Sequence, residues 1–258
     1  MANTQNMTVG KPARLLFFFA LPLMFSNMFQ QLYTVVDTAI VGRGVGMDAL
    51  AALGTVDWLS WMVLGIAQGF TAGFSVRMSQ KFGEGDFPGL RRVIGLSARL
   101  TVFITLLTAV LSQVALPGFL YLLRVPAELS PMATLYVRIL FAGTPCMMFF
   151  NFTASTLRAV GNSKTPLFAM ITASVLNIAL DALTVFVFDW GIAGAAGATV
   201  CAQAVAGGIC AYRIVKTPHL RFHLSDMARD GAMAKSLMGL GAPLAIQNTI
   251  ISIGGMVV

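Results

Sequence analysis

Charged residues are scarce in this sequence. Only 10% of its 258 residues are Asp, Glu, Lys or Arg, whereas 57% are hydrophobic. A soluble domain carries roughly 25% charged residues, because its surface must be hydrated. The composition therefore excludes an ordinary soluble domain. The apolar stretches between the charges are about 20 residues long or longer, which is the length of a helix that crosses a membrane.

Histidines, cysteines and enzyme motifs are also few or absent. The two histidines, His219 and His223, and the three cysteines do not have the spacing of metal ligands. The sequence contains no Gly-x-x-x-x-Gly-Lys, Gly-x-Ser-x-Gly or His-Glu-x-x-His motif. It therefore indicates neither an enzyme nor a cofactor site. It also gives no support to a protein that draws its energy from bound ATP.

The apolar stretches predict seven helices. Asp86, Ser130 and Ser163 each stand shortly before a proline, a pattern typical of capped helix starts. We place the helices at 13–42, 49–80, 88–122, 131–157, 165–188, 192–214 and 235–258. The predicted fold class is an all-α polytopic membrane protein.

Basic residues are distributed unevenly over the connections between these helices. Of the 17 Lys and Arg residues, only Arg43, Arg124 and Arg138 fall on the side away from the N-terminus. Connections rich in Lys and Arg stay in the cytoplasm. We therefore attribute the net charge of +7 to membrane orientation rather than to nucleic-acid binding. The expected location is a bacterial-type cytoplasmic membrane, with the N-terminus in the cytoplasm.

The seventh predicted helix repeats the first. A shift of 221 positions places Pro243 on Pro22 and Asn248 on Asn27. Six helices separate the two copies, so both would cross the membrane in the same direction, as in a parallel repeat. We therefore predict a six-helix amino-terminal lobe over 1–214, a cytoplasmic inter-lobe loop over 215–234, and the first helix of a truncated second lobe over 235–258.

Two acidic residues lie deep inside predicted helices. Asp37 comes six residues before Arg43, and Asp181 comes eight before Asp189. These offsets put them about 9 and 12 Å below the outer membrane surface, at ~1.5 Å per residue. An ionised group inside a bilayer is costly and is a functional candidate by default. The same layer of the membrane, here called the outer polar layer, would hold Asp37, Tyr136, Asn177, Asp181 and Thr199.

If their faces converge, these side chains would form a carboxylate site for a proton or a sodium ion. Two nearby carboxylates in a low dielectric do not both ionise easily. A proton at the pair, or sodium bound by Asp37, Asp181 and Asn177, would change the local charge and drive a conformational switch. The alternative is that each acid pairs with a neighbour such as Arg138 and only fixes the packing. For Tyr136 and Thr199 alone, packing explains the pattern equally well.

Other features of the helices carry weaker indications. Gln30, Asn151 and Met170 would lie deeper and are candidates for a substrate cavity, although amides also join neighbouring helices. Pro22 removes a hydrogen bond from the first helix, which makes this helix a candidate hinge or, alternatively, gives it a static kink. A close-packing helix face is predicted for three glycines at a spacing of four, Gly65, Gly69 and Gly73.

Four parts of the sequence form a recognisable set of motifs. They are Val36–Arg43 (VDTAIVGR) with Ala49–Ala52 (ALAA), Gly83–Asp86 (GEGD), Leu157–Pro166 (LRAVGNSKTP) and Asn177–Asp181 (NIALD). These segments resemble the multidrug and toxic compound extrusion (MATE) transporters. Together they are specific, and the resemblance extends over essentially the whole chain.

The resemblance implies a twelve-helix transporter with two six-helix lobes around a central cavity. By motif, it puts an ion site of the amino-terminal lobe on the outer polar layer, and drug contacts on Gln30 and Asn151. It maps the family's proline-dependent bending of the first helix onto Pro22. Only about the first half of such a transporter is present in this sequence.

We therefore expect a cation-coupled antiporter, driven by a proton or sodium, that exports small cationic drugs or metabolites. Its expected partners are the lipid bilayer and a missing carboxy-terminal lobe. Two alternatives stay open. A flippase for lipid-linked oligosaccharides would call for basic residues in the cavity, and a non-transporting membrane scaffold would tolerate neutralisation of Asp37 and Asp181.

Overall fold

The computed structural model describes residues 12–221, 226 and 230–257, so that Lys11, His223, Arg229 and Val258 lie outside the described residues. Helices occupy most of the described chain, and six of them are long and apolar enough to cross a membrane. The prediction of an all-α polytopic membrane protein is confirmed. The helices are α1 Pro12–Gly44, α2 Met47–Gly83, α3 Phe87–Leu122, α4 Ser130–Ala142, α5 Thr144–Ala159, α6 Lys164–Ala182 with a π-helical continuation Leu183–Val187, α7 Gly191–Lys216 and α8 Gly231–Val257.

The fourth predicted helix, 131–157, is two helices in the structure. Helices α4 and α5 meet at an angle of 45° and together form a seventh potential span. Pro145 has no N–H to continue the helical hydrogen bonds at this point. Gly143 occupies the break and lets α7 approach, since a Cβ there would lie 2.1 Å from a methyl group of Val200. The sequence signal Gly-Thr-Pro thus marks a bend rather than an uninterrupted span.

Two connections also differ from the predicted boundaries. The fifth predicted helix, 165–188, keeps its length, but its last residues form the π-helical segment after α6. Helix α7 extends to Lys216 and α8 begins at Gly231, so the described part of the predicted loop 215–234 is shorter than expected. Within that loop, Leu220 is almost fully buried and the ring of His219 stacks on Phe87 at a centroid distance of 4.2 Å.

Helix α1 lies at the edge of the bundle. It packs mainly along α6, with fewer contacts to α2 and α7. Large apolar side chains along its length, including Leu16, Met24 and Val35, are more than 60% exposed. The packed interior belongs to the other helices, and α1 is held chiefly along one face.

Helices α2 and α8 are in close contact along their length. A Cβ on Gly69 would lie 2.4 Å from the backbone nitrogen of Ala245, and one on Gly73 would lie 2.4 Å from Cα of Gly241. Small residues allow membrane helices to approach at this distance. The predicted close-packing face is therefore confirmed for Gly69 and Gly73, and the helix that packs on it is α8.

Of the three predicted capping residues, only Asp86 caps its helix as expected. Asp86 accepts a 2.9 Å hydrogen bond from the backbone N–H of Gly89, which is the expected capping geometry. Ser163 makes no such bond. Instead, the side-chain oxygen of Asn162 accepts from the backbone N–H of Thr165 at 3.1 Å. Ser130 is the first residue of α4, and its predicted capping role is not observed.

Candidate functional site

The two predicted carboxylates meet between α1 and α6. Asp37 is 6% exposed and Asp181 is fully buried. Their side chains are close enough to interact through a hydrogen bond whenever a proton is present on one of them. Packing of α1 along α6 produces this proximity from residues that are distant in the sequence. The structure therefore brings together the pair that the sequence indicated.

No donor in the described part of the chain satisfies this pair. Oδ1 of Asp37 and both carboxylate oxygens of Asp181 are buried without a hydrogen-bond partner. An ionised carboxylate only accepts hydrogen bonds, so two of them cannot satisfy each other. Burying such groups unpaired is strongly unfavourable. A proton on one carboxylate, or a small cation between the two, would give these oxygens a favourable partner.

Asn177 and Thr199 extend the site on the side of α7. Asn177 lies one turn before Asp181 and is 1% exposed. Its side-chain N–H donates to the hydroxyl of Thr199 at 3.3 Å, which fixes the direction of the amide. The amide oxygen of Asn177 is then buried without a partner. The site therefore contains an uncharged acceptor, this amide oxygen, in addition to the carboxylate oxygens of Asp37 and Asp181.

Tyr136 connects the site to the packed core. It is half-buried and packs against all three hydrophobic clusters of the bundle. Its phenol lies within electrostatic reach of Asp37 and Asp181. All five residues of the outer polar layer thus lie in one region of the bundle. Their role in ion coupling stays a prediction.

Two further residues belong to this region and were missed in the sequence. Tyr33 lies one turn before Asp37, and its hydroxyl accepts a hydrogen bond of 3.4 Å from the side chain of Gln203. Gln203 lies one turn after Thr199 on α7 and is 7% exposed. The available signal was the four-residue spacing of polar groups on each helix, which places them on one face.

A π-helical segment follows the site directly. It begins at Leu183, two residues after Asp181, and packs against the end of α1. Gly44 permits that contact, because a Cβ there would lie 2.3 Å from a methyl group of Val185. Such segments are rare and occur frequently at functional sites. Sequence periodicity alone did not reveal this one.

The candidate cavity residues have different surroundings. Gln30 is half-buried and interacts with the phenol of Tyr33. The side chain of Asn151 donates to the carbonyl of Met147 in its own helix at 2.9 Å. Met170 is 2% exposed and belongs to the largest hydrophobic cluster. Their assignment to a substrate cavity stays a prediction.

Three other residues lie outside the carboxylate pair. Pro22 is inside α1, and its carbonyl accepts a hydrogen bond from Ser26 at 2.9 Å, within the same helix. Asp57 on α2 is exposed. Arg138 is also exposed, and no described acidic residue forms a salt bridge with it. Pairing of the buried acids with Arg138, the packing alternative, therefore finds no support in the described chain.

A bundle of membrane-length helices that buries a pair of carboxylates is an arrangement expected of a membrane transport protein. The family model described as MatE matches residues 22–183. The chain belongs to the MatE family, and the predicted resemblance to MATE transporters is confirmed. The family consists of transporters rather than enzymes. The apolar helices of this chain, together with its membership of that family, make it an integral membrane protein.

Relatives of the chain include proteins named for multidrug resistance. The chain is 30% identical over 257 residues to the probable multidrug resistance protein YpnP of Bacillus subtilis, a match that covers 97% of this chain and 56% of the relative. It is 27% identical over 242 residues to the probable multidrug resistance protein NorM of Thermotoga maritima, with coverages of 91% and 51%. The chain thus spans about half the length of the curated relatives it matches.

A solved structure supports the same fold. The outward-facing conformation of a multidrug resistance MATE family transporter of the MOP superfamily aligns with a TM-score of 0.88 at 25% identity. The alignment covers 95% of this chain and 54% of the other chain.

Proposed function

We propose that this chain is the ion-coupling half of a multidrug exporter that exchanges a small cationic substrate for a proton or a sodium ion. The observation that carries the proposal is the buried carboxylate pair of Asp37 and Asp181, for which the described chain supplies no donor. A pair of acceptors with no donor is unstable when empty, and it binds a cation from whichever side of the membrane it faces.

Cation binding is coupled to conformation through α1. When the pair is empty, repulsion between two buried carboxylates acts directly between α1 and α6. A bound proton or sodium ion removes that repulsion and joins the two helices. Helix α1 is held chiefly along one face, so it is the element that is free to respond. Pro22 lacks an N–H for the preceding turn, and this gap lets the helix bend.

Both candidate ions are chemically suited to the site. A proton on one carboxylate provides the missing donor to the other. Sodium would use oxygen ligands, namely the carboxylates and the unpaired amide oxygen of Asn177. We infer that Thr199 and Gln203 act indirectly, by holding Asn177 and Tyr33 in place.

The substrate and the working assembly follow from the same proposal. Acidic groups inside the membrane favour a cationic substrate, because a bound substrate cation and a bound coupling ion would compete for the same negative charge.

Transport needs a second lobe that moves against this one, so we expect no transport by the purified chain as a monomer. We also place the N-terminus in the cytoplasm on the distribution of basic residues.

The decisive experiment is dye efflux with imposed ion gradients. The chain, joined to a carboxy-terminal half, is reconstituted in vesicles with either a proton or a sodium gradient. Asp37→Asn and Asp181→Asn are compared with Asp48→Asn, an exposed carboxylate at the start of α2. We expect one gradient to drive efflux of a cationic dye, both buried variants to lose it, and the control to retain it.

The outcomes separate the components of the proposal. Efflux that persists in both buried variants would show that the coupling site is elsewhere, even in a working exporter. Absence of efflux in the wild type under either gradient would remove the exporter function itself. Loss of efflux in Asp48→Asn as well would indicate a general effect of charge rather than a coupling site.

A further inference from the structure

The end of the bundle that carries the inter-lobe loop has a basic pocket whose role is unassigned. Arg91 at the start of α3, Lys216 at the end of α7 and Arg221 in the loop line a space of about 310 Å³. None of the described residues that line it is acidic. The described chain supplies no salt-bridge partner to any of the three cations, since its ion pairs join Lys81 to Glu84 and Asp86. The pocket is therefore suited to an anion from outside the chain.

The pocket is built by the fold rather than by mobile surface lysines alone. The guanidinium of Arg91 donates to the carbonyl of Pro218 at 3.1 Å, which ties α3 to the loop. Its Nε is buried and has no hydrogen-bond partner. The stacking of His219 on Phe87 and the burial of Leu220 hold the same loop in place. Arg91 is thus positioned with donor capacity to spare.

An apolar groove continues from this pocket along the outside of the bundle. It has a volume of about 440 Å³ and lies between α3, α5 and α7. Val215 lines both the groove and the basic pocket, so the two spaces adjoin. Carbon atoms form nearly all of the groove surface, and its rim includes Val102, Leu106 and Phe149, which are 58%, 54% and 43% exposed. Such a surface favours hydrocarbon over a polar solute.

The combined length of pocket and groove matches one leaflet of a bilayer. From Arg91 to Leu106, α3 advances fifteen residues, or about 22 Å at ~1.5 Å per residue. A bilayer is about 40–45 Å thick with its headgroups, so one leaflet takes about half of that. The groove volume also lies within the roughly 300–1,000 Å³ typical of ligand sites.

We propose that this pocket and groove form a specific binding site for an anionic phospholipid. The phosphate group binds Arg91, Lys216 and Arg221, and one acyl chain lies in the groove beside Val215. A soluble phosphate would use only the basic pocket and leave the groove empty. A zwitterionic lipid would fill the groove but bring its own cation to the basic pocket. The site thus selects for both a negative headgroup and a hydrocarbon chain.

This site is independent of the carboxylate pair. It lies at the opposite end of the helices, and it involves no residue of the outer polar layer. Bound lipid would link α3, α7 and the loop, because each contributes one of the three cations. We therefore expect the lipid to stabilise the bundle without being transported.

The test is lipid binding measured by native mass spectrometry on the detergent-purified protein. Phosphatidylglycerol, phosphatidylcholine with the same acyl chains, and soluble glycerol phosphate are titrated separately. We expect tight binding of phosphatidylglycerol alone. Each surface cation contributes about fivefold to the affinity for anionic lipid, so Arg91→Gln, Lys216→Gln and Arg221→Gln should each weaken it by about that factor. Arg92→Gln, an exposed neighbour outside the pocket, is the matched control.

A second variant tests the groove without changing charge. Ala211→Phe fills part of the groove and should weaken binding of phosphatidylglycerol; Val215→Trp, at a position that is 60% exposed, serves if the first variant fails to fold. Equal binding of the two lipids, or equal losses in Arg92→Gln and Arg91→Gln, would overturn the proposal. Binding of glycerol phosphate as tight as that of the lipid, or unchanged lipid binding in the groove variant, would also overturn it.

Discussion

The side-chain amide of Asn248 in α8 donates a 2.9 Å hydrogen bond to the backbone carbonyl of Gly65 in α2. Below this bond, Gly69 and Gly73 leave room for the backbone of α8. Asn248 is the residue that the internal repeat aligns with Asn27 of α1. In α8 this asparagine joins two helices, whereas Asn27 is exposed on α1. Equivalent positions of the repeat thus have different surroundings in the described chain.

Replacement of Gly69 should destabilise the α2–α8 contact. Any side chain at this position collides with the backbone near Ala245, which cannot move away as a flexible side chain would. We expect Gly69→Leu to lower the free energy of unfolding by at least about 1–3 kcal/mol, as for an overpacked core. Gly54→Leu in the same helix is the control, because a Cβ there has no atom within 4 Å. Equal unfolding midpoints in detergent for the two variants would contradict this account.

Neutralising Asp181 should stabilise the empty protein. The asparagine amide in Asp181→Asn can donate to Asp37, and this provides the donor that the wild-type pair lacks. We expect a gain of about 1–3 kcal/mol, the usual cost of an unsatisfied buried polar group. Thermal unfolding in alkaline, sodium-free buffer measures it, with Asp57→Asn as an exposed control.

The same experiment has an internal check. Acid or sodium should raise the melting temperature of the wild type, because a ligand that binds only the folded state stabilises it. The effect should be smaller in Asp181→Asn. A wild type that responds to neither ion, or a variant less stable than wild type in alkaline buffer, would argue against an unsatisfied pair.

Removal of the Tyr33 hydroxyl should affect transport more than folding. In Tyr33→Phe, the amide of Gln203 loses its acceptor beside Asp37. Side-chain hydrogen bonds between membrane helices contribute only about 0.6 kcal/mol on average. We therefore expect a melting temperature close to that of the wild type, but a several-fold lower rate of ion-driven efflux in the completed transporter. Tyr121→Phe is the control because Tyr121 is 88% exposed. Identical efflux rates in the two variants would exclude Tyr33 from the site.

Asp86 should make the start of α3 sensitive to acid. The backbone N–H of Gly89 and, next, the ammonium of Lys81 lower the pKa of the Asp86 carboxyl below its ordinary value. A lowered folded-state pKa contributes stability above the unfolded pKa, and this contribution is lost as the pH falls through the folded pKa. Asp86→Asn keeps a capping side chain but removes the titration.

Hydrogen exchange of the first turn of α3 measures this effect. The wild type should lose protection as the pH falls below the usual range of an aspartate, after correction for the intrinsic exchange rate. Asp86→Asn should show no such step, and Asp86→Ala should show weak protection at every pH. A wild type and an Asp86→Asn variant with the same pH profile would contradict the assignment.

The carboxylate pair was predictable because charges in apolar helices are rare. Asp37 and Asp181 each stand in an otherwise uncharged segment, so depth counting put them in one layer before any contact was known. Tyr33 and Gln203 were not predictable in this way. Neutral polar residues are tolerated in membrane helices for packing, so their sequence positions do not distinguish a site from an ordinary helix contact.

The helix boundaries show where local patterns lose information. Apolar composition predicted one helix over 131–157, and only the positions of Gly143 and Pro145 marked the 45° bend. Both Asn162 and Ser163 are suitable capping residues, and the register of α6 decides between them. The π-helical segment after Asp181 depends on how its residues pack against α1 and α7, which no single stretch of sequence encodes.

The unpaired carboxylates of Asp37 and Asp181 also concern the protein's lifetime in the cell. Quality-control proteases degrade membrane proteins from partly unfolded states, and small differences in stability change abundance severalfold. A cell in which the coupling ion is scarce on both sides of the membrane would then hold this protein mainly in its empty, less stable form. We expect faster turnover under those conditions, so that the ion proposed to drive transport would also influence how many copies survive.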